Sequence, residues 1–182
     1  MAARLVHLSR SLDEPLVEAR LPGVTFLHCT QVEVADRAAD VERIWAGEPG
    51  ALDQQGFRAL LRRRIEEGYL DDEARWLFLR AAGELAGVAM SAPETPAGLA
   101  WTSSAPADAV VAPVDAVGRV RWLAVERSSR RRGFGRALLR RAMAILQQRG
   151  LRRCLVAVRR ENDAGLALLR SEGFAPRASG NG

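Results

Sequence analysis

The residues best suited to chemistry form one short turn, Arg130 to Arg136, with the sequence RRRGFGR. An apolar stretch precedes this turn and an amphipathic helical pattern follows it. Backbone amides at a helix start have no partners within the helix and carry partial positive charge, so a glycine turn that enters a helix suits an anion. The arginines add fixed positive charge. Together these features predict a site for the diphosphate of a nucleotide-bearing cofactor.

The spacing of this turn excludes two common nucleotide sites. A dinucleotide fingerprint needs a third glycine at position 138, which is Leu138, and a turn that follows its strand more closely than the seven residues Glu126–Arg132 allow. A phosphate-binding P-loop needs a lysine after its second glycine, whereas all 27 basic residues here are arginine. The absence of lysine also excludes Schiff-base chemistry by a lysine amine.

Helical and strand periodicities predict the elements that position the turn. A mixed sheet flanked by helices follows from one hairpin that precedes two strand–helix units, which places the fold in the α/β (α+β) class. The predicted strands are 24–34, 75–80, 85–90, 118–125 and 151–158. The predicted helices are 36–46 with Asp36 as the cap, 54–67, 134–149, and 162–172 with Asn162 as the cap.

A length of 182 residues corresponds to one domain. We assign residues 1–22 to an N-terminal arm or added strand, 23–178 to the domain, and 179–182 to a disordered tail. Residues 91–116 form a long loop of the kind that often acts as a lid or binding loop. Since 174–178 supply only a short closing strand, either the N-terminal segment 4–8 or a second subunit is expected to cover the sheet edge.

Composition narrows the environment of the protein. Two cysteines, Cys29 and Cys154, are too few for a disulfide framework and indicate a reducing cytoplasm. Their spacing to His7 and His28 is not that of a zinc site, so we predict no metal. No apolar run approaches the ~18 residues of a membrane span. Arginine in place of lysine, with abundant alanine, suggests a GC-rich bacterial source.

Charge is distributed unevenly along the chain. Residues 1–117 carry 11 arginines against 18 acidic residues, a balance of −7, and residues 118–182 carry 16 against 4, a balance of +12. A basic half favours an anionic partner, either a phosphorylated small molecule or nucleic acid. Acidic Asp71, Asp72 and Glu73 could attract a cationic amine.

Arg130-x-x-Gly133-x-Gly135, preceded by Leu-Ala-Val, resembles the acyl-coenzyme A signature of the GNAT superfamily of N-acetyltransferases. A second block, from Asn162 to Gly173-Phe174, is similar to the other motif of that family. The order of predicted elements resembles the same fold from about Val24 to Phe174. The resemblance implies a GNAT-like domain that uses acetyl-CoA as cosubstrate.

The resemblance also implies roles for individual residues. The backbone of Leu123, Ala124 and Val125 would run beside the pantetheine arm, and the amide of Val125 would stabilise the oxyanion as the amine attacks. Strands that part after Val125 would form the groove. Asn162 would hydrogen-bond the arm, cap its helix, or do both. The pyrophosphate would be wrapped by Arg130, Arg131, Arg132, Gly133, Phe134, Gly135 and Arg136.

The catalytic groups depart from the family pattern. Our candidate for the general base is Glu126, with Asp115 before the strand as a second carboxylate; the alternative for Glu126 is a surface carboxylate paired with Arg127 or Arg130. The tyrosine that commonly protonates the thiolate corresponds to Leu169. We expect Ser171, two positions on, to face elsewhere. Either water or another residue donates that proton, or activity has been lost.

Three functions follow from these observations. The first is an N-acetyltransferase that moves an acetyl group from acetyl-CoA to a primary amine, small-molecule or peptide, by direct attack in a ternary complex. The second keeps the fold as a catalytically inert acyl-CoA-binding regulator. Nucleic-acid binding ranks last, because its candidate arginines lack interleaved aromatic residues and are better used near the three phosphates of coenzyme A. These arginines are Arg130–Arg132, Arg140–Arg141, Arg152–Arg153 and Arg159–Arg160. A homodimer is one of the two predicted ways to cover the sheet edge.

Overall fold

The computed structural model describes residues 4–17, 21–29, 31–46, 59, 75–94 and 116–177. Within these ranges a seven-stranded mixed sheet is flanked by helices, which confirms the predicted fold class. The strands are β1 (Leu5–Ser11), β2 (Val24–Cys29), β3 (Arg75–Ala81), β4 (Glu84–Pro93), β5 (Val117–Val125), β6 (Arg153–Arg159) and β7 (Ala175–Pro176). The helices are α1 (Gln31–Asp36), α2 (Ala38–Trp45), α3 (Phe134–Gln148) and α4 (Asp163–Ser171).

The sheet has the strand order β2-β3-β4-β5-β6-β1-β7. Strands β2 to β5 are antiparallel neighbours, and β5 and β6 are parallel. A parallel pair needs a crossover connection, and α3 supplies it between β5 and β6. The predicted turn lies at the start of this crossover, where β5 gives way to α3.

The N-terminal strand β1 completes the sheet. It pairs antiparallel with β6 over its whole length, from Leu5↔Arg159 to Ser11↔Arg153. The C-terminal strand β7 has only two residues and pairs with Leu8 and Ser9 on the other side of β1. Of the two predicted ways to cover the edge of β6, the structure shows the N-terminal segment.

Helices cover both faces of the sheet, with two separate apolar cores. On one face α3 buries Leu138, Leu139, Met143 and Leu146. On the other face α1 and α2 bury Val34, Val41 and Ile44 against Phe78 of β3. Helix α3 approaches β4 closely, since a Cβ on Gly87 would lie 2.6 Å from Leu138 Cδ1.

The first predicted strand is too long. The observed strand β2 ends at Cys29, and residues 31–36 form α1. Asp36 is therefore the last residue of a helix rather than the cap of one. Arg37 precedes α2 without a side-chain cap. The β-branched residues of this stretch favoured a strand, but burial of Val34 in the core beneath the helices outweighs that preference.

Several predictions lie outside the described residues: the helix 54–67 apart from helical Ala59, the acidic run 71–73, positions 95–115 of the long loop, and the tail 179–182. Strand β4 extends to Pro93, three residues beyond the predicted end. Among the helices placed by the structure, none is long and apolar enough to cross a membrane.

Candidate functional site

Strands β5 and β6 part in the middle of the sheet. Met90 of β4 pairs with Trp122 and Ser91 pairs with Val120, so Arg121 is an extra residue in β5, a β-bulge. The pairing of β5 with β6 runs from Val117 to Val120. A bulge bends its strand and increases the twist, so β5 diverges from β6 at this point. The predicted gap is therefore present, and it opens after Val120 rather than after Val125.

The backbone of β5 directs polar groups into this gap. The amide of Glu126 donates to the carbonyl of Ala86 on β4 at 2.9 Å. Antiparallel pairs alternate between hydrogen-bonded and non-hydrogen-bonded, so Ala124 is the next residue bonded to β4. The amides of Leu123 and Val125 therefore point away from β4 and toward the gap. This is the orientation that the predicted oxyanion donor requires.

The arginine–glycine turn adopts an unusual backbone. It follows a short 3₁₀ helix, Arg127–Ser129, and ends at Gly133, the residue before α3. Gly133 has φ +82° and Arg131 has φ +63°. For arginine this left-handed conformation costs on the order of 1 kcal/mol, and such strain is concentrated at functional sites. The turn leads directly into the N-terminus of α3, where unpaired amides suit an anion.

A groove of about 760 Å³ lies between this turn, the end of β5 and the start of α4. A Cβ on Gly135 would lie 3.5 Å from Leu168 and 3.7 Å from Val125, so larger side chains there would enter the groove. Arg132 is outside the groove lining, and its guanidinium lies 4.8 Å from the Phe134 ring centroid. The other ten predicted cofactor residues all line the groove: Leu123, Ala124, Val125, Arg130, Arg131, Gly133, Phe134, Gly135, Arg136 and Asn162.

Two of the predicted arginines hold the groove together. Arg130 Nε donates to the carbonyl of Val125 at 3.0 Å, which fixes the turn on the end of β5. Arg136 Nε lies 2.9 Å from the carboxylate of Glu172, whose side chain is 2% exposed. Arg140 also donates to this carboxylate, at 2.7 Å and 3.1 Å, and the hydrogen bond raises the pKa of Arg140. Glu172 thus ties α3 to the end of α4.

Asn162 caps α4, as the sequence predicts. Its Oδ1 accepts a hydrogen bond from the amide of Gly165 at 2.9 Å. A Cβ on Gly165 would lie 2.9 Å from Asn162 Nδ2, so the glycine provides the space for this cap. The cap uses only Oδ1, which leaves the Nδ2 hydrogens as donors at the groove.

A second cavity, of about 280 Å³, occupies the gap between β5 and β6. It adjoins the groove, with which it shares Leu123, Asn162, Gly165 and Leu168. Its walls come from both faces of the sheet: Leu139 and Leu169 from the α3 face, and Trp45 and Trp122 from the α2 face. The two cavities are therefore adjacent, and the second has walls on both faces of the sheet.

Leu169, at the position of the family tyrosine, lines this second cavity and is 3% exposed. Among the described residues of the cavity lining, none carries a hydroxyl or carboxyl group. Ser171 lines the outer groove instead and donates to the carbonyl of Leu168 at 2.7 Å, so it faces elsewhere, as predicted. An acid for the thiolate is not supplied by the described walls of the gap.

Glu126, the predicted base, forms an ion pair that the sequence does not reveal. Its carboxylate lies 2.6 Å from Arg43 Nη1 of α2, and Arg43 also donates to the carbonyl of Leu85 at 2.8 Å. The hydrogen bond from Arg43 to Glu126 raises the pKa of Arg43. Glu126 is not part of the described lining of either cavity, so its carboxylate joins α2 to the end of β5. The second candidate, Asp115, lies outside the described residues.

The cysteine and histidine side chains described next are not placed to act as nucleophiles or metal ligands. Burial raises the pKa of the Cys154 thiol to about 12, so it stays protonated at neutral pH. Burial, with a smaller effect of Arg141, lowers the pKa of His28 on β2. Among the described residues, no group of three or more histidines, cysteines or carboxylates is placed to hold a metal ion.

Comparison with known proteins agrees with this geometry. The model of the acetyltransferase (GNAT) family matches residues 38–174, which is most of the chain. No protein of curated function matches the sequence significantly.

Solved structures show the same fold at low sequence identity. A GCN5-related N-acetyltransferase from Sphaerobacter thermophilus has a TM-score of 0.60 at 18% identity over 95% of this chain and 48% of its own. A tandem GNAT protein of the clavulanic acid biosynthesis pathway has a TM-score of 0.67 at 17% identity over 96% and 50%. The chain thus spans about half the length of these two. An aminoglycoside N-acetyltransferase in complex with coenzyme A scores 0.59 at 14% identity over 89% and 94%.

Proposed function

Because the chain belongs to the GNAT acetyltransferase family, we propose that it transfers an acetyl group from acetyl-CoA to a primary amine. The acceptor is a small molecule or peptide, and it attacks directly in a ternary complex. One observation carries the proposal: the groove at the left-handed turn leads into the gap between β5 and β6. A cofactor and an acceptor can therefore meet from opposite faces of the sheet.

Apart from Glu161 and Asp163 at the start of α4, the charge of the groove lining fits coenzyme A. The outer end has the helix N-terminus and the exposed arginines Arg131 and Arg136, which suit a pyrophosphate. The inner end is uncharged where it meets the gap, with Leu123, Leu168 and Gly165, which suits a long neutral arm. Bound there, acetyl-CoA would supply the acetyl thioester.

The chain would contribute positioning and backbone hydrogen bonds. The amide of Val125 faces the gap and is our proposed donor to the thioester oxygen as negative charge develops on it. Asn162 would hold the neutral arm through Nδ2 while Oδ1 continues to cap α4. Both groups belong to the backbone or to a capped helix end, so they are in place before the cofactor binds.

Proton transfer is assigned to water at the mouths of the gap. The described walls contain no acid for the thiolate, and Glu126 would have to release Arg43 before it could accept a proton. Glu126 remains a hypothesis for the general base, which paired substitutions of Glu126 and Arg43 test.

The binding step is tested by calorimetric titration with acetyl-CoA. We expect the protein to bind, and Gly135→Ala to retain binding, because a Cβ makes only ordinary contacts there. We expect Gly135→Phe to weaken binding at least about tenfold, because its ring occupies the groove. Thermal denaturation checks that both variants are folded. Absence of binding to the unaltered protein would overturn the proposal.

The inert alternative rests on Leu169 in place of the family tyrosine. Thiol release from acetyl-CoA, measured over a panel of amines, separates it from the enzyme. Steady release with any amine excludes the inert protein, whereas binding of acetyl-CoA without turnover on any amine would favour it.

A further inference from the structure

We infer that the acceptor is an amine that also carries a carboxylate and an apolar group, of which a hydrophobic α-amino acid is the simplest example. This inference rests on the proposed acetyl transfer and concerns the second cavity, within the gap. It is carried by the two arginines of that cavity and by the tryptophans beside them.

The mouth of the cavity on the α2 face is basic. Side chains alternate between faces along a strand, and Val156 and Val158 of β6 pack into the α3 core. Arg159 therefore lies on the opposite face, with Trp122 and Trp45. The bulged residue Arg121 lines the same cavity. Bulges commonly redirect a side chain next to an active site.

These two arginines differ from others in the sheet and helices. Arg119, two residues before Arg121, binds Glu94 through two hydrogen bonds of 3.2 Å and 2.5 Å. Arg43 and Arg140 are likewise bound to carboxylates. Within the described ranges, neither Arg121 nor Arg159 has a carboxylate partner, and no acidic residue lines their cavity.

The two guanidinium groups in the cavity lining favour an acceptor that carries negative charge. Two guanidinium groups repel an amine whose only charge is its ammonium, and they bind a carboxylate through strong charge-assisted hydrogen bonds. They also lower the pKa of an ammonium held next to them, which favours the neutral amine that attacks. An amino acid satisfies both conditions.

The tryptophans add an apolar requirement. The ring centroids of Trp45 and Trp122 are 5.3 Å apart, and Trp76 meets Trp122 edge-on at 5.2 Å. Of these three rings, Trp45 and Trp122 line the cavity and give it an aromatic surface. Leu5 of β1 lines the same cavity, so an apolar acceptor side chain has a matching surface.

The transfer balances without a further reactant. The amine nitrogen forms a bond to the acetyl carbon and loses one proton, while the bond from that carbon to sulfur breaks and the sulfur takes up one proton. The products are an N-acetyl amino acid and free coenzyme A.

The test compares matched amines in the thiol-release assay. L-Phenylalanine and L-leucine carry the carboxylate, L-phenylalaninamide replaces it by an amide, and phenethylamine lacks it. We expect turnover with the amino acids and a kcat/KM at least about tenfold lower with the amide and phenethylamine, because a hydrogen bond to a charged group is lost. Calorimetry of L-phenylalanine in the presence of coenzyme A measures binding independently of turnover.

Arginine variants locate the carboxylate. Arg121→Gln and Arg159→Gln should each lower kcat/KM for L-phenylalanine about 10- to 100-fold and leave the value for phenethylamine within about threefold. The control is Arg153→Gln, an exposed arginine at the far end of β6, which should change neither.

Three results would overturn the inference. These are preference for phenethylamine over L-phenylalanine, equal effects of the arginine variants on both amines, and failure of every amino acid to bind or react. Turnover on amines without a carboxylate would leave the proposed acetyl transfer intact. Failure of acetyl-CoA to bind would instead refute the proposed function itself.

Discussion

The cofactor groove and the cavity in the gap are built in different ways. The groove is lined by residues from two segments of the chain, 123–136 and 161–171, and depends mainly on backbone conformation. The cavity is lined by side chains from distant elements, among them Leu5, Trp45, Arg121 and Arg159. A site formed by backbone needs particular residues at fixed spacing. A site formed by side chains can change its ligand by single substitutions while the fold stays the same.

The largest expected effect comes from a substitution in the cofactor groove that leaves the cavity in the gap unchanged. Gly133 has φ +82°, a conformation that a β-branched residue does not adopt without strain. We expect Gly133→Val to displace the amides of the turn and to lower acetyl-CoA affinity at least about 100-fold, because two or more hydrogen bonds to a charged group are lost. Calorimetry measures the affinity, and thermal denaturation measures the stability.

Gly83→Val is the matched control for Gly133→Val. Gly83 has φ +87° in the β3–β4 hairpin, where a Cβ would meet no atom within 4 Å. Both variants should lose similar stability, and only Gly133→Val should lose affinity. Equal loss of affinity in the two would show that the groove depends on overall stability rather than on the turn.

The second experiment tests whether the groove depends on contacts between residues far apart in the sequence. The buried carboxylate of Glu172 binds Arg136 and Arg140 of α3, and the Glu172 carbonyl accepts from Arg10 of β1 at 2.5 Å. We expect Glu172→Gln to lower the free energy of unfolding by about 1–3 kcal/mol, because charge-assisted hydrogen bonds are lost. Urea denaturation measures this change.

Glu161→Gln serves as the control for Glu172. Glu161 is exposed at the same groove and has no ion pair among the described residues, so its loss should change stability by less than about 0.5 kcal/mol. If Glu172→Gln also leaves stability unchanged, the groove is independent of this long-range network.

A third experiment tests the ion pair that joins α2 to the end of β5. Glu126→Gln and Arg43→Gln break the same ion pair from opposite sides. A partly exposed pair contributes up to about 1 kcal/mol, so we expect similar, small losses of stability and similar kcat values. A kcat that falls about 100-fold or more only in Glu126→Gln would instead identify Glu126 as the general base.

The smallest effect concerns His28, which lies on β2 at the far edge of the sheet from the gap. Its folded-state pKa is lowered by burial and by Arg141, so the unfolded chain binds the proton more readily. The folded state therefore loses stability as the pH falls below the unfolded pKa of 6.5. His28→Gln should reduce the difference in Tm between pH 7 and pH 5. It should leave the affinities for acetyl-CoA and for L-phenylalanine unchanged.

The sequence predicts the groove well because its signals are local. Glycine at 133 and 135, an apolar strand before them and Asn162 before α4 are each readable within a few residues, and the structure brings them together. The left-handed backbone of Arg131 is not readable in this way, because arginine rarely adopts it. The bulge at Arg121 also depends on the pairing with β4, which single-strand periodicity does not contain.

The cavity in the gap is not predictable from the sequence, because its walls come from residues far apart in the chain. Trp45 is the last residue of α2, and only the fold places it against Trp122 of β5. The ion pair of Glu126 with Arg43 likewise joins residues far apart in the sequence. Side-chain contacts between distant elements leave no spacing pattern, so charge asymmetry was the only signal, and it indicated an anion without its position.

The position of β1 between β6 and β7 affects how the chain folds during synthesis. β1 is made before the other strands of this sheet, yet its partner β6 is among the last of them to be made. At about 5–20 residues per second, the first strand waits on the order of 10–30 s for its partner. Throughout that interval Leu8 and Leu12, both 2% exposed in the finished fold, lack the neighbouring strand that holds β1 in the sheet. The first strand of this sheet to be made is therefore one of the last to take its place in it.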